Sequence, residues 1–247
     1  MNIDFSGKRE FITGGTGSVG RSLVETFSAL GARVTFQYFT NRELALSLAS
    51  KHSATPVSLD FSKPYAIPKE QFDILINNGG VNISSAQTVD VPDADYELTL
   101  SINLNAPLHL IQSYLPQMIK NRWGRIINIS SIYGVSGSTN NLPYNISKHG
   151  LSAVTKTVAK EYAQFGITCN EICPGPIESE LMQRIANNKA KLSGKSPEEF
   201  FETLRSNIPA RRLAFPQDIS HCAVFLASEY ASYINGTSII IDGGLIC

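Results

Sequence analysis

Neither sign of charge prevails in this chain: Lys and Arg total 21, and so do Asp and Glu. No overall field therefore draws it to nucleic acid or to an anionic membrane surface. It lacks any stretch of roughly 18 uninterrupted apolar residues, the length that marks a membrane-spanning helix. The opening residues Met1-Asn2-Ile3-Asp4-Phe5-Ser6-Gly7 carry no basic segment followed by an apolar run. No signal peptide is expected, and a cytoplasmic location is. Cysteine is scarce. Cys169 and Cys173 fall in an expected strand, where four residues span roughly 13 Å, too far for a disulfide or one shared metal ion. With Cys222 and Cys247 they read as reduced, structural thiols. His52, His109, His149 and His221 show no HxxxH or HExxH spacing, so no metal is expected. No linker, repeat or low-complexity block divides the sequence, which implies a single domain over residues 1–247.

What is present is a full complement of core-forming residues, 43% hydrophobic against 17% charged, arranged in an alternating pattern. Arg9–Thr13, Arg33–Tyr38, Thr55–Leu59, Ile74–Asn77, Arg125–Ile129, Ile167–Ile172 and Ser238–Ile241 read as strands. Val19–Leu30, Arg42–Ser50, Ala94–Lys120, Tyr144–Phe165 and Gln217–Ala227 read as helices. The alternation predicts an α/β fold, a parallel sheet of about seven strands with helices on both faces. Only twelve residues separate Asp60 from Asp73, with Pro64 and Pro68 among them, so that crossover closes with at most a turn or two of helix. Residues 178–212 are polar with helical patches and no strand, an excursion from the sheet that is either a surface loop or a lid over a pocket.

The first strand runs into Thr13-Gly14-Gly15-Thr16-Gly17-Ser18-Val19-Gly20, and an amphipathic helix follows at once. Glycines permit a tight turn and close approach of backbone to a pyrophosphate, which then sits on the helix N-terminus. Gly15-x-Gly17-x-x-Gly20 satisfies the dinucleotide fingerprint in the strand–helix context that gives it meaning, so a Rossmann-type, doubly wound sheet is expected. Gly14, Thr16, Gly17, Ser18, Val19 and Gly20 are its candidate phosphate contacts. The second strand ends in Phe36-Gln37-Tyr38-Phe39-Thr40-Asn41-Arg42, with no acid before Glu43 to hold a ribose 2′-hydroxyl. Thr40, Asn41 and Arg42 offer instead a site for a 2′-phosphate, which favours NADP(H) with NAD(H) as the alternative. The competing reading has Arg42 in the first turn of the next helix, facing water.

Tyr144 and Lys148 lie four residues apart and share one helical face. An ammonium near the phenol is expected to favour phenolate and bring the tyrosine towards working pH as a proton donor and acceptor.

Taken together these motifs resemble the short-chain dehydrogenase/reductase superfamily in its compact form of about 250 residues. The resemblance covers the chain from the Thr13–Gly20 loop through Asp60, Asn77-Asn78-Gly79-Gly80, Asn103, Ser130-Ser131 and Tyr144-x-x-x-Lys148 to Pro174-Gly175-Pro176-Ile177-Glu178-Ser179. It implies that Tyr144 protonates a carbonyl oxygen as hydride arrives, and that Lys148 lowers its pKa and binds the nicotinamide ribose. Ser131, thirteen residues before Tyr144, would hold the substrate oxygen, with Ser130 as its rival. Asn103 would hold a water linking Lys148 to solvent, the other reading being a cap or bridge between helices. Asp60 would accept from the adenine amino group, or else cap a helical turn. Asn78 and Gly79 would pack against the adenosine ribose, while Pro174, Gly175, Ile177 and Ser179 would flank the carboxamide. The resemblance also implies a homotetramer, built through the helices from Ala94 and Tyr144 and through Ile239–Cys247.

Three departures from the family pattern stand out: Ser18 and Gly17 in the phosphate loop, Gly80 in place of alanine, and the short crossover, which threatens to bare sheet edge or adenine-side surface. In general layout the chain is most similar to 3-oxoacyl-thioester reductases. Its Lys148-His149-Gly150 and Ile172-Cys173-Pro174-Gly175 runs are also similar to hydroxybutyrate dehydrogenases. The implied substrate is a small carbonyl compound, thioester-linked to a carrier in the first reading, with a small hydroxy acid or sugar alcohol next. Lys189, Lys191, Lys195, Arg205, Arg211 and Arg212 are either contacts for an acidic carrier or carboxylate, or solvated cations. A non-catalytic dinucleotide sensor or scaffold is the rival of a different class.

Overall fold

The computed structural model describes residues 2–193 and 196–246, with the side chains of 188–193 outside the description. Seven strands form one sheet: β1 (Arg9–Ile12), β2 (Arg33–Tyr38), β3 (Thr55–Ser58), β4 (Ile74–Asn77), β5 (Gly124–Ile129), β6 (Ile167–Pro174) and β7 (Ser238–Ile241). Their order is β3-β2-β1-β4-β5-β6-β7, and every pairing is parallel. All seven expected strands are present, and the doubly wound sheet is the expected one.

Both sheet faces are buried, so the central strands alternate between two cores rather than between core and water. Ile12, Ile74, Ile76, Ile127 and Ile129 face one cluster, with Leu23 and Phe27 of α1 (Ser18–Ala29), Ala45 and Leu48 of α2 (Arg42–His52), and a C-terminal helix spanning Pro216–Ala227. Phe11, Leu75 and Ile126 face the other, under Leu110, Tyr114 and Met118 of a long helical segment and Val158 of the next.

That long segment departs from the uninterrupted Ala94–Lys120 helix expected. It is α3 (Asp93–Leu100), a π-turn over Ser101–Asn105, and α4 (Ala106–Asn121). The Ala106 N–H reaches the Ser101 carbonyl, five residues back, so one residue is inserted into the helical ladder. The segment that follows is α5 (Leu142–Tyr162), tied to the sheet by a buried polar chain. Asn77 Nδ2 donates to Asn128 Oδ1 at 2.8 Å, and Asn128 Nδ2 donates to Thr155 Oγ1 at 2.8 Å.

The short crossover between β3 and β4 holds no helix. Instead of baring the sheet it plugs it with aromatic side chains. Phe72 lies 5.1 Å from both the Phe11 and the Tyr114 ring, and Phe61 is buried in the same cluster. Ser101 Oγ donates to the Phe61 carbonyl at 2.9 Å. Phe11 and Leu75 are fully covered, so the crossover leaves these central strands buried.

The excursion after β6 folds as α6 (Glu180–Ser193) and α7 (Pro197–Asn207), the latter opened by a reciprocal cap between Ser196 and Glu199. The chain returns at Ala214, which bridges Ile177, and enters α8 (Pro216–Ala227). Among the described residues no helix is long and apolar enough to cross a membrane, and Cys169, Cys173 and Cys222 are free thiols. Cys247 lies outside the described residues.

Candidate active site

In a sheet of this order the strand sequence reverses direction between β1 and β4, and a crevice opens there beyond the carboxyl ends. The loop after β1 lines it. Gly14 adopts φ +66°, and a Cβ there would fall 2.8 Å from the Gly79 Cα; a Cβ on Gly20 would fall 2.1 Å from the Gly14 carbonyl oxygen. Only glycine fits both places. Gly17 precedes α1 without a side-chain cap, and no acidic residue occupies the first turn. The leading N–H groups of Ser18, Val19 and Gly20 therefore point into the crevice as an anion site, beside Thr16. These residues fit a pyrophosphate.

The loop is braced from beneath. Thr13 Oγ1 accepts from the Asn78 and Gly79 amides at 2.9 and 2.8 Å, while Asn78 Nδ2 donates to the Thr13 and Gly14 carbonyls at 2.9 and 3.2 Å. The Asn78 Nδ2 group is thus engaged by the loop's own backbone. Gln37 completes the brace, accepting from the Gly14 amide at 2.8 Å and donating to the Leu59 carbonyl at 2.7 Å. Sequence reasoning passed over Gln37; its signal was a side-chain amide in an otherwise apolar strand end.

At the adenosine side, Thr40, Asn41 and Arg42 are exposed together. Arg42 is the first residue of α2 and faces solvent, as the competing reading had it. Asn41 caps α2, its Oδ1 accepting from the Leu44 amide at 3.1 Å, which leaves only its amide N–H groups for a ligand. Asp60 caps a turn: the Ser62 hydroxyl and amide bond its Oδ1 and hold the carboxyl below its ordinary range, with Lys63 at 3.6 Å from Oδ2.

Ser131 caps the short turn after β5, accepting from the Tyr133 amide at 3.1 Å, and its hydroxyl faces the Tyr144 phenol. Ser130 points the other way, buried against Gly134 and Cys173, so of the two serines only Ser131 meets the tyrosine. Lys148, almost fully buried, donates from Nζ to the Ile129 carbonyl at 2.9 Å and stands 5.6 Å from the Tyr144 ring centroid. Burial pushes Tyr144 up from its ordinary value, and the Ser131 hydroxyl only partly opposes this. The net shift is opposite to the lowering expected beside Lys148, and the lysine is itself desolvated and drawn down to about 8.

Asn103 stands on the π-turn. Its Oδ1 accepts from the Val81 amide at 2.8 Å, and its Nδ2 donates to the Val81 carbonyl at 2.8 Å and to Ser147 Oγ at 3.1 Å. Instead of holding water alone, the side chain clamps the loop after β4 to α5. Gly80 fills the gap between them: a Cβ there would lie 3.3 Å from Asn103 Oδ1 and 3.5 Å from Lys148 Nζ.

Past β6, Gly175 donates to the Ile241 carbonyl at 2.9 Å, and a Cβ on it would sit 2.9 Å from the Asp242 Cβ. Pro174 ends the strand, Ile177 bridges Ala214, and Ser179 Oγ accepts from the Met182 amide at 3.1 Å, opening α6. The start of α6 is latched to the phosphate loop. Arg21 Nη2 meets Glu180 Oε1 at 2.7 Å, Arg21 Nη1 donates to the Thr16 carbonyl at 3.1 Å, and Ser18 Oγ lies 3.5 Å from Glu180 Oε2. Nothing in the sequence pattern signalled that pair.

Of the basic residues in the excursion, Arg205 pairs with Glu198 and Glu202, and Arg212 with Asp218. Arg211 is exposed and donates to the Ser206 carbonyl at 2.6 Å. The side chains of Lys189 and Lys191, and Lys195 altogether, lie outside the described residues.

With this geometry in place, the chain compares closely with known proteins. A family model described as Enoyl-(Acyl carrier protein) reductase matches residues 14–246. A 3-oxoacyl-[acyl-carrier-protein] reductase FabG of Rickettsia conorii is 33% identical over 250 residues, covering 99% of each chain. A D-beta-hydroxybutyrate dehydrogenase of Rhizobium meliloti is 31% identical, over 96% of this chain and 98% of that one. Among solved structures, an Agrobacterium tumefaciens protein provisionally named 2-deoxy-D-gluconate 3-dehydrogenase, with bound NADP, superposes with a TM-score of 0.86 at 28% identity, covering 98% of each chain. A short chain dehydrogenase/reductase family protein gives 0.82 at 25% identity, again over 98% of each. Family model, full-length relatives, sheet order and crevice agree: this chain is a member of the short-chain dehydrogenase/reductase family, oxidoreductases acting on CH–OH groups.

Proposed function

We propose that the chain is an NADP(H)-dependent oxidoreductase that interconverts a ketone and a secondary alcohol, with a 3-oxoacyl thioester as its first-ranked substrate. The observation that carries the reading is the Ser131–Tyr144 hydroxyl pair held beside a buried Lys148 at the carboxyl ends of β5 and β6. When bound, a nicotinamide cofactor supplies or accepts the hydride. Tyr144 gives its phenolic proton to the carbonyl oxygen in reduction and takes one from the alcohol in oxidation. Ser131 donates to that same oxygen as charge develops on it. Lys148 stabilises the phenolate that remains and offers its N–H groups to a ribose. Asn103 keeps the loop after β4 and α5 in register around them. No step needs a metal ion, since Tyr144 and Ser131 polarise the carbonyl.

The uncapped start of α1 suits a pyrophosphate, Asp60 an adenine amino group, and Pro174, Gly175, Ile177 and Ser179 a carboxamide. Exposed Thr40, Asn41 and Arg42, with no acid before Glu43, support a 2′-phosphate at the N-terminus of α2. The 3-oxoacyl substrate is supported by the reductases among the relatives and by exposed Ile83 and Val135 on the loops after β4 and β5 and Leu181 on α6, which suit an apolar chain. The hydroxybutyrate and gluconate dehydrogenases among the relatives support the second reading, a small hydroxy acid or sugar alcohol. The protein works in the cytoplasm as a homotetramer, and Ile240, 46% exposed on edge strand β7, suits one of its interfaces.

A panel of 3-oxoacyl thioesters, small keto acids and keto sugars, assayed with NADPH and with NADH, tests substrate and cofactor together. Fastest turnover of 3-oxoacyl thioesters with NADPH is expected; preference for keto sugars would displace the first reading in favour of the second. Arg42→Ala should raise KM for NADPH far more than for NADH, and equal effects would rule out the 2′-phosphate site. Undiminished carbonyl reduction by Tyr144→Phe would rule out Tyr144 as the proton donor, and a wild-type chain that binds NADPH but reduces none of the panel would leave only a dinucleotide sensor or scaffold.

A further inference from the structure

Beneath Ser131, Tyr144 and Lys148 lies a carboxyl group that the reaction as written does not use. Along β6 the side chains of Cys169, Glu171 and Cys173 alternate onto the face that meets α5, whose Lys148, Ser152 and Thr155 are spaced by one helical turn. Glu171 is fully enclosed, and each of its oxygens receives a serine hydroxyl: Ser152 Oγ donates to Oε2 at 2.8 Å, and Ser238 Oγ of β7 donates to Oε1. Ser152 Oγ also lies 3.2 Å from the Lys148 carbonyl and 3.3 Å from the Gly134 carbonyl, so it joins Glu171 to the turn carrying the lysine and to the turn capped by Ser131. Lys148 Nζ in turn bonds the Ile129 carbonyl, and Ile129 pairs with Ile172, the residue after Glu171.

An ammonium so deeply buried needs a compensating charge. The groups that face it are few. Among the described residues these are Tyr144 of α5 and, from β6, Cys173 and Glu171; Asn128 of β5 and Ser238 of β7 neighbour the Glu171 carboxyl but carry no charge. Burial pushes the Cys173 thiol up to about 12, so it remains neutral while the lysine titrates near 8. Glu171 is the carboxylate among them.

We propose that Glu171 is a positioning residue for this site: it supplies the buried countercharge for the Lys148 ammonium and, through Ser152, fixes the helical turn on which Lys148 stands. The proposal rests on the reading of Lys148 as a working cation. Its sign is definite. Removing the negative charge makes the ammonium harder to keep, so Lys148 loses its proton at lower pH and the high-pH limb of turnover moves down with it.

The test follows Lys148 directly in protein labelled with [ε-13C]lysine, its resonance identified as the one absent from Lys148→Arg. In Glu171→Gln the titration midpoint should fall by about half a unit or more, and the high-pH limb of kcat should fall in parallel. Ser152→Ala should lower kcat several-fold while leaving the midpoint in place. Glu171→Met, which removes the charge but refills the volume, serves as the second variant should the amide not fold. An unmoved midpoint in whichever variant gives a native circular dichroism spectrum and a cooperative melt overturns the proposal. Tyr144→Phe separates the two ideas: full activity there defeats the catalytic reading, whereas an inactive Tyr144→Phe with an unmoved Lys148 midpoint defeats only the role of Glu171.

Discussion

Glu10 and Glu171 are both fully enclosed glutamates on parallel strands, and the protein surrounds them in opposite ways. Glu10 stands near the amino end of β1, on the Ile12 face between Val34 and Ile74, and neither of its oxygens has a hydrogen-bond partner. Burial alone pushes its carboxyl well above the ordinary range. Glu171 stands towards the carboxyl end of β6, with a serine on each oxygen and the Lys148 turn beside it. The same side chain is an uncompensated load at one end of the sheet and part of a polar network at the other. Stability is decided by how the amino end packs, and chemistry by how the carboxyl end is wired.

Substitutions at the two ends should therefore separate activity from stability. Tyr144→Phe should give the largest effect, a fall in kcat of about 100-fold or more with little change in Tm, measured by cofactor absorbance and thermal melting. Arg125→Ala should do the reverse. That guanidinium is 2% exposed, stacks 4.5 Å from the Trp123 ring centroid, and bonds the Gly124 and Gly166 carbonyls at 2.9 and 3.1 Å. Its loss should cost about 2–4 kcal/mol of unfolding free energy, read by denaturant titration, with kcat per folded molecule unchanged.

Glu10→Met should stabilise, by about 1–3 kcal/mol at pH 8. The folded-state carboxyl holds its proton to higher pH than the unfolded one, so wild-type stability declines as pH rises above the unfolded value of about 4.3. The gain from methionine should accordingly shrink towards pH 4, and a gain that is equal at both pH values would show that Glu10 is not held neutral. The smallest effect belongs to the latch between Arg21 and Glu180. Glu180 is 61% exposed, so the pair contributes about 0.5 kcal/mol at most. Glu180→Ala should weaken cofactor binding about two-fold at low salt and less at high salt, as titration calorimetry would record.

Much of the carboxyl end was legible because its chemistry demands particular residues close together. The glycines of the phosphate loop, Ser131, and the four-residue step from Tyr144 to Lys148 each carry a geometric reason in the sequence itself. Strands were legible for a related reason, since both faces are buried and the apolar runs are short and bounded. The long helix was misread because a single inserted residue changes the hydrogen-bond partner without breaking the apolar rhythm from Ala94 to Lys120. The bonds of Asn103 to Val81 and Ser147 were not legible, because those partners are 22 and 44 residues away. The tyrosine's direction of shift was misjudged for a similar reason: a four-residue spacing says that two groups are neighbours, but not that both are desolvated. Glu171 and Gln37 went unnoticed because one polar residue in an apolar strand shows its purpose only once the neighbouring elements are packed against it.

The helix-free crossover has a further consequence. Residues 59–73 are anchored by Phe61 and Phe72 rather than by a helical ladder of amides, so many of their N–H groups lack the cooperative protection that a helix confers. Deuterium should enter this peptide well before it enters α4 beneath, through openings far smaller than global unfolding. The segment leading from Asp60 would then act as a soft seam along one rim of a rigid crevice, able to yield locally while the strands on either side stay paired.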